Sequence, residues 1–233
     1  MARILVTGAT GQLGTPTVAM LERAGHEVRA FSRKTGGDLV TGAGVSEALE
    51  GVDTLVHLAH VPSDPLYSAA IAAGVAHTVL ISIVGIDDIP LGYYKQTRAA
   101  ERGLVESGLP HTILRSTQFH SFVEGLFTAQ RFSPVIVAPA FSFQPIAVDE
   151  VADRLVSLAS GAPQGRVADI GGPEQRTARS FAEQWKDAAH SRRGILTLTL
   201  PGATARGFAA GHNLVPGTPY GHVTFAEYLA ARP

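Results

Sequence analysis

The run Ile4-Leu5-Val6-Thr7-Gly8-Ala9-Thr10-Gly11-Gln12-Leu13-Gly14 constrains this chain more than any other segment. Its first residues are a short apolar stretch that reads as a buried parallel strand. Glycines follow at Gly8, Gly11 and Gly14, and the helix-like segment from Gln12 to Arg23 opens among them and is stopped by Gly25. A strand that turns through spaced glycines into a helix leaves free N–H groups and a positive dipole end at the turn. Glycine there lets the backbone approach a pyrophosphate closely. The expectation is a phosphate-binding turn made by Gly8, Thr10, Gly11, Gln12, Leu13 and Gly14, set against the plainer reading of a packing turn without a ligand.

The segments after this turn alternate. Glu27 to Phe31, Thr54 to Leu58, Thr78 to Ile83 and Thr112 to Leu114 read as strands, with a weaker one at Asp38-Leu39-Val40. Ser46 to Leu49, Leu66 to Ala73 and Tyr93 to Ser107 read as helices, with Ser46 as a cap and Gly74 and Gly108 as stops. Strands alternating with helices predict an α/β fold, a doubly wound parallel sheet of the Rossmann type. Beyond residue 134 the pattern loosens into a strand at Val135 to Val137, a helix from Asp149 to Ala159, and a strand at Val167 to Ile170. A helix from Ser180 to Ala189, the alternating run Leu196 to Leu200 and a helix from Thr224 to Ala230 complete it. These pieces predict a small C-terminal lobe, roughly 134–233, on a single domain of 1–233. Thr35-Gly36-Gly37 and Val61 to Pro65 are the segments expected to flex.

Composition narrows the function classes. The 233 residues suit one α/β domain, and 45% apolar against 17% charged residues allow a substantial core. A net charge of −1 points away from nucleic acid and from anionic membranes as partners and leaves a small-molecule substrate. The absence of cysteine excludes disulfides, thiolate metal sites and cysteine nucleophiles. No apolar run reaches membrane-span length, and the first one is too short for a signal peptide, so the expected location is the cytoplasm.

Cofactor choice is written after the second strand. A carboxylate there would bind the ribose 2′-hydroxyl of NAD, but the chain reads Phe31-Ser32-Arg33-Lys34. Two cations and no acid suit a 2′-phosphate, so NADP is the expected cofactor, with Ser32, Arg33 and Lys34 at its phosphate. A solvated Arg-Lys pair in a loop is the plainer alternative.

Several motifs together resemble the atypical short-chain dehydrogenase/reductases, specifically their NmrA-like NAD(P)H-binding branch. They are Thr7-Gly8-Ala9-Thr10-Gly11, His57-Leu58-Ala59, Ser82-Ile83-Val84-Gly85, Gly92-Tyr93-Tyr94, Ile113-Leu114-Arg115, Thr117-Gln118-Phe119-His120 and Gly171-Gly172-Pro173-Glu174. The resemblance implies that Leu58 and Ala59 flank the cofactor and that Ser82 ends a strand near the nicotinamide. It also implies that the segment holding Gln118, Phe119 and His120 roofs a substrate pocket, with Tyr94 beside it. Two departures stand out. The tyrosine-x-x-x-lysine pair of the family reads Tyr93 to Thr97 here, and the crossover from Ala59 to Gly74 is short.

Reduction of a carbonyl needs a hydride donor and a proton donor. A tyrosine can be the acid, but its free pKa of about 10 is high and a lysine normally lowers it. At about 100° per residue, Tyr93, Thr97, Ala100 and Leu104 share a stripe expected to face the sheet and cofactor. Tyr94, Arg98 and Glu101 then fall on the flank, and Lys95, Arg102 and Glu106 in solvent. Tyr93, Ser82 and Thr97 are the candidate catalytic set, with an aromatic pocket wall as the alternative role for both tyrosines. His120 is either an acid or a satisfied core histidine. His57 and His60 lack a third ligand, so no metal is expected. The functional expectation is an NADPH-dependent reductase of a small carbonyl, enone or quinone-like compound. An NADP(H)-sensing protein without turnover, and a non-redox isomerase or cyclase that keeps the cofactor, stay open beside it.

Overall fold

A computed structural model describes residues 1–59, 61 and 64–232. The chain forms two compact units, the first from Met1–Ser82, Gly92–Arg115 and Val148–Ala168, the second from Ile83–Leu91, Ser116–Ala147 and Asp169–Pro233.

The first unit is built on strands β1 (Arg3–Thr7), β2 (Glu27–Phe31), β3 (Thr54–His57), β4 (His77–Ile83) and β5 (His111–Ser116). They are linked by helices α1 (Gly14–Arg23), α2 (Val45–Leu49), α3 (Asp64–Ala72) and α4 (Gly92–Glu106). Further along the chain come α5 (His120–Thr128), β6 (Val135–Pro139), β7 (Ser142–Phe143), α6 (Val148–Ala159) and β8 (Gly165–Arg166). The sheet is six-stranded and parallel, in the order β2-β1-β3-β4-β5-β8, which is the expected Rossmann-like α/β architecture. Thr7 lies opposite both Phe31 and His57, so the end of β1 sits centrally beneath the glycine turn. One face of the sheet buries Leu5, Leu55, Leu80 and Ile113 against Leu66, Tyr67 and Leu104 of α3 and α4. Helix α6 packs on α1. Both α6 and β8 fall inside the span read from sequence as lobe, yet they belong to the sheet unit. The strongly one-sided burial of α6, through Val151, Ala152, Leu155 and Leu158, suits that place.

Two local expectations are corrected. Asp38-Leu39-Val40 is no strand, because an Asp38 carboxylate oxygen accepts hydrogen bonds from the Val40 and Thr41 N–H groups at 2.7 and 3.1 Å and turns the chain. Ser46 does not cap α2; Gly44, in the left-handed region, occupies the cap position.

The second unit carries α5, β6 and β7, then β9 (Arg176–Thr177), α7 (Ala178–Ala188), β10 (Gly194–Leu198), α8 (Ala203–Ala209) and α9 (Phe225–Ala230). β10 pairs parallel with β6, and β7 antiparallel with β9. Phe127, Phe181, Phe225 and Trp185 form much of its core. No helix among the described residues is long and apolar enough to cross a membrane.

Candidate functional site

The first unit holds a cavity of about 490 Å3 at the carboxyl ends of β1, β2 and β3. Its floor is the glycine turn. Gly8 adopts φ +70° and donates its N–H to the Phe31 carbonyl at 3.0 Å, tying β1 to β2. A Cβ there would lie 3.3 Å from the Leu58 backbone and would be conformationally strained as well. Gly11 closes the turn by donating to the Gly8 carbonyl at 2.9 Å, and Gly8, Thr10 and Gly11 all line the cavity. Gly14 lies outside it. A Cβ at Gly14 would be 2.1 Å from the Gly8 carbonyl oxygen, so the third glycine lets α1 start hard against the turn. Leu13 is buried at the helix start and Gln12 is exposed; neither lines the cavity. Leu13, at the cap position of α1, makes no side-chain cap and no acid stands in the first turn of the helix, so among the described residues no internal anion occupies its start, although the Thr15 N–H is taken by the Gly11 carbonyl at 3.0 Å.

Ser32, Arg33 and Lys34 form one wall. Ser32 and Thr35 cap each other reciprocally around a single 3-10 turn, Arg33–Thr35, which holds both exposed cations at the cavity rim. Leu58 and Ala59 form the opposing wall. Every rim residue expected from the Arg-Lys and Leu-Ala motifs is therefore on this cavity. Phe31, Gly37, Asp38, Leu39, Val40 and Val61 also line it and were not anticipated. The signal lay in Gly36-Gly37. Gly36 takes φ +89°, and a Cβ on Gly37 would overlap the Phe31 ring at 2.2 Å, so two glycines fold this segment back over β2.

The candidate catalytic residues of the first unit lie on β4 and α4, away from the lining of this cavity. Ser82 is fully buried, and its hydroxyl has no hydrogen-bond partner among the described residues. The phase of α4 differs from the expected stripe. Tyr94, Thr97, Ala100, Glu101 and Leu104 are buried, and Tyr93 is 47% exposed. The reason is Arg115 on β5, which donates to both carboxylate oxygens of Glu101 at 2.8 and 2.6 Å and draws that acid, and the helix face carrying it, inward. Thr97 donates its hydroxyl to the Tyr93 carbonyl at 3.2 Å. Partial burial of the Tyr93 hydroxyl, with a smaller effect of Tyr94, pushes its phenol up to about 12. Tyr93 thus keeps its proton throughout the neutral range.

His57 hydrogen-bonds the Thr7 hydroxyl through Nδ1 at 2.6 Å beneath the turn. His60 lies outside the described residues, as do Pro62 and Ser63 of the Val61 to Pro65 segment. Gln118, Phe119 and His120 belong to the second unit. Gln118 and His120 are buried where Phe119 bridges Ile146 and opens α5. His120 Nε2 meets the Val223 carbonyl at 3.0 Å, and its ring stacks on Tyr228. That is the packing of a core histidine.

Residues 4–84, which include the whole glycine turn and both cavity walls, match the NAD dependent epimerase/dehydratase family. Over 204 residues the chain is 30% identical to (4-alkanoyl-5-oxo-2,5-dihydrofuran-3-yl)methyl phosphate reductase of Streptomyces griseus, covering 78% of this chain and 72% of that protein. Its fold is similar to that of an NADPH-dependent quinone oxidoreductase of Escherichia coli, with TM-score 0.76, 20% identity, and 97% and 98% of the two chains covered. Triphenylmethane reductase of Citrobacter sp., solved with NADP(H), is similar at TM-score 0.68 and 20% identity over 90% of this chain and 88% of that one. With its glycine turn, parallel sheet and two-walled cavity, the chain belongs to the atypical short-chain dehydrogenase/reductases.

Proposed function

We propose that this protein is an NADPH-dependent reductase of a small carbonyl, enone or quinone-like compound. The cavity of the first unit carries the reading. A dinucleotide fits it on three counts: a glycine cradle that side chains would obstruct, an uncapped helix start, and two rim cations with no acid beside them on β2. The backbone of Gly8 and Gly11 would hold the pyrophosphate, Arg33 and Lys34 the 2′-phosphate, and Leu58 and Ala59 the adjoining wall. The one carboxylate on the wall, Asp38, is engaged by two backbone N–H groups of its own turn. When bound, NADPH supplies a hydride. The names of the Streptomyces griseus and Escherichia coli relatives support reduction as the chemistry.

Tyr93 is the proposed proton donor. It stands half-exposed on the first turn of α4 and holds its proton at neutral pH, so it can donate but not act as a base. Thr97 occupies the place of the activating lysine and supplies no charge. Its hydroxyl steadies the carbonyl of Tyr93. That missing cation also favours a second reading, an NADP(H)-sensing protein without turnover.

Titration with NADPH and NADH, followed by NADPH consumption against ketones, enones and quinones, tests both. Tighter NADPH binding with turnover that falls at least tenfold in Tyr93→Phe is the expected result. Turnover that survives Tyr93→Phe would remove Tyr93 as the donor. Tight binding with no turnover across the panel would select the sensing reading, and equal affinity for the two nucleotides would overturn the cofactor assignment.

A further inference from the structure

Strand β2 ends on Phe31, and the chain then makes one closed turn before Gly37 returns against the Phe31 ring. The Ser32 carbonyl is the hub of that turn. It accepts the Thr35 N–H at 3.0 Å and the Gly37 N–H at 3.1 Å. The Thr35 side chain straps the turn to itself. Its hydroxyl accepts the Ser32 N–H at 2.9 Å and donates to the Ser32 carbonyl, also at 2.9 Å, with the Ala30 carbonyl of β2 at 3.4 Å as a second acceptor. Both backbone groups of Ser32 are thus held by the hydroxyl of Thr35, and Arg33 and Lys34 are the residues enclosed between them.

The enclosed pair carries charge that the protein does not neutralise. Arg33 and Lys34 are exposed and line the cavity, and their side chains form no hydrogen bond or ion pair with any described residue. Asp38 lines the same cavity, but its carboxylate serves the Val40 and Thr41 N–H groups and pairs with neither cation. Neighbouring like charges repel, and a loose loop would let them swing apart into water. The strapped backbone instead fixes the point from which each side chain leaves. Such a pair is best satisfied by an anion of more than one charge, as a phosphate monoester is near neutral pH.

We propose that Thr35 is a positioning residue for cofactor choice: by strapping the turn it holds Arg33 and Lys34 for the 2′-phosphate and so sets the preference for NADPH over NADH. The inference rests on the reading of the cavity as an NADPH site and assigns the origin of its selectivity. Thr35 acts through the two cations and not on the phosphate. A turn fixed before binding removes ordering that would otherwise fall on the complex, which is worth roughly threefold to tenfold in affinity. The hydroxyl carries this role and the bulk does not. Thr35 is exposed, so without its hydroxyl the Ser32 N–H passes to water and is not left unpaired in the core. The turn loosens while the fold stays. NADH has no 2′-phosphate, so a loosened turn costs it nothing.

Fluorescence titrations of the whole chain with NADPH and NADH test it. Thr35→Val keeps the shape and loses the hydroxyl; it should weaken NADPH roughly threefold to tenfold and leave NADH unchanged. Thr35→Ser should restore the parent preference. In a background of Arg33→Ala with Lys34→Ala, Thr35→Val should alter neither affinity, because no cation is left to place. A purely structural role would lower both nucleotides together and persist in that background. Melting curves check the fold of each variant, and Thr35→Ala removes the same hydroxyl should valine crowd the turn. Equal losses for NADPH and NADH, a preference unchanged in folded Thr35→Val, or an effect that survives removal of both cations would each overturn the inference. If preference is lost in the double-alanine protein but kept in Thr35→Val, Thr35 falls and the cofactor reading stands. A parent protein that binds the two nucleotides equally overturns both.

Discussion

Replacing Gly11 and Gly14 singly with alanine separates two jobs performed by one turn. A Cβ at Gly14 would sit 2.1 Å from the Gly8 carbonyl oxygen and 2.7 Å from the Ala9 backbone. Those atoms belong to the chain itself, and the shortfall from van der Waals contact is about 1 Å, so α1 must slide away from the turn. Overpacking of this kind costs about 1–3 kcal/mol. At about 2–4 °C per kcal/mol for a chain of this size, the melting temperature should fall by about 2–12 °C. Gly11 differs. A Cβ there meets only the Gly8 oxygen, at 3.1 Å, which a shift of a few tenths of an ångström relieves. Alanine also narrows the unfolded ensemble by about 0.4–1 kcal/mol, so the two effects nearly cancel. The added methyl instead projects from a residue that lines the cavity, where the pyrophosphate must approach. NADPH affinity should drop at least tenfold, about 1.4 kcal/mol. Thermal melts and fluorescence titrations of both variants make the assay. Gly14→Ala melting like the parent, or Gly11→Ala binding NADPH unchanged, would refute the division of roles.

Arg33→Ala should weaken NADPH by about 1–3 kcal/mol and leave NADH nearly unaffected, as read from parallel titrations, since only the 2′-phosphate loses its charge-assisted partner. Glu101→Ala removes the carboxylate from a buried guanidinium, with both side chains at most 10% exposed, and should cost about 3–5 kcal/mol in chemical denaturation. Burial lowers the pKa of His77, whose Nε2 meets the Thr112 hydroxyl at 2.8 Å. The unfolded chain therefore binds that proton first, so this contribution to stability is full above about pH 6.5 and is lost as pH falls below it. Denaturation midpoints at mildly acidic and neutral pH should show the loss, and His77→Gln should flatten it. Because Tyr93 holds its proton up to about pH 12, reductase turnover should show no decline between neutral and moderately alkaline pH that traces to this group.

The central strands β1, β3, β4 and β5 were legible in the residues because they are short runs rich in apolar side chains, and local pattern suffices for that; β8, at Gly165–Arg166, was read instead at Val167 to Ile170 because a glycine and an arginine leave no hydropathy mark. The cavity walls were legible for the same reason: Gly8, Gly11, Arg33 and Leu58 sit at or just beyond strand ends whose order the alternation already implies. What escaped was set by distant partners. Glu101 reads as a flank residue until Arg115 on another element claims it, and with it the face of α4 rotates so that Tyr94, not Tyr93, is buried. Thr97, Ala100 and Leu104 fit either phase, so periodicity alone could not choose between the two tyrosines. Asp38 looked like the start of a strand because a carboxylate that captures its own backbone leaves no mark on hydropathy. Helix α6 was misassigned to the lobe because chain order is a poor guide once a chain leaves a sheet and returns to it.

That return has a consequence for how the protein is made. Strand β8 adds to β5 with Thr112 opposite Gly165, and β5 closes long before β8 is synthesised. Until residue 168 has left the ribosome, the nascent sheet has an unpaired edge at β5, and α1 lacks the helix that packs on it. Residues 116–147, all of the other unit, are emitted in that interval. Closing so long a loop is slow relative to local helix formation, so the Rossmann sheet should be completed late in biogenesis despite occupying the front of the chain. Arrested chains ending near residue 147 would then expose an apolar edge and be the species that chaperones hold, whereas chains released past α6 and β8 would resist limited proteolysis.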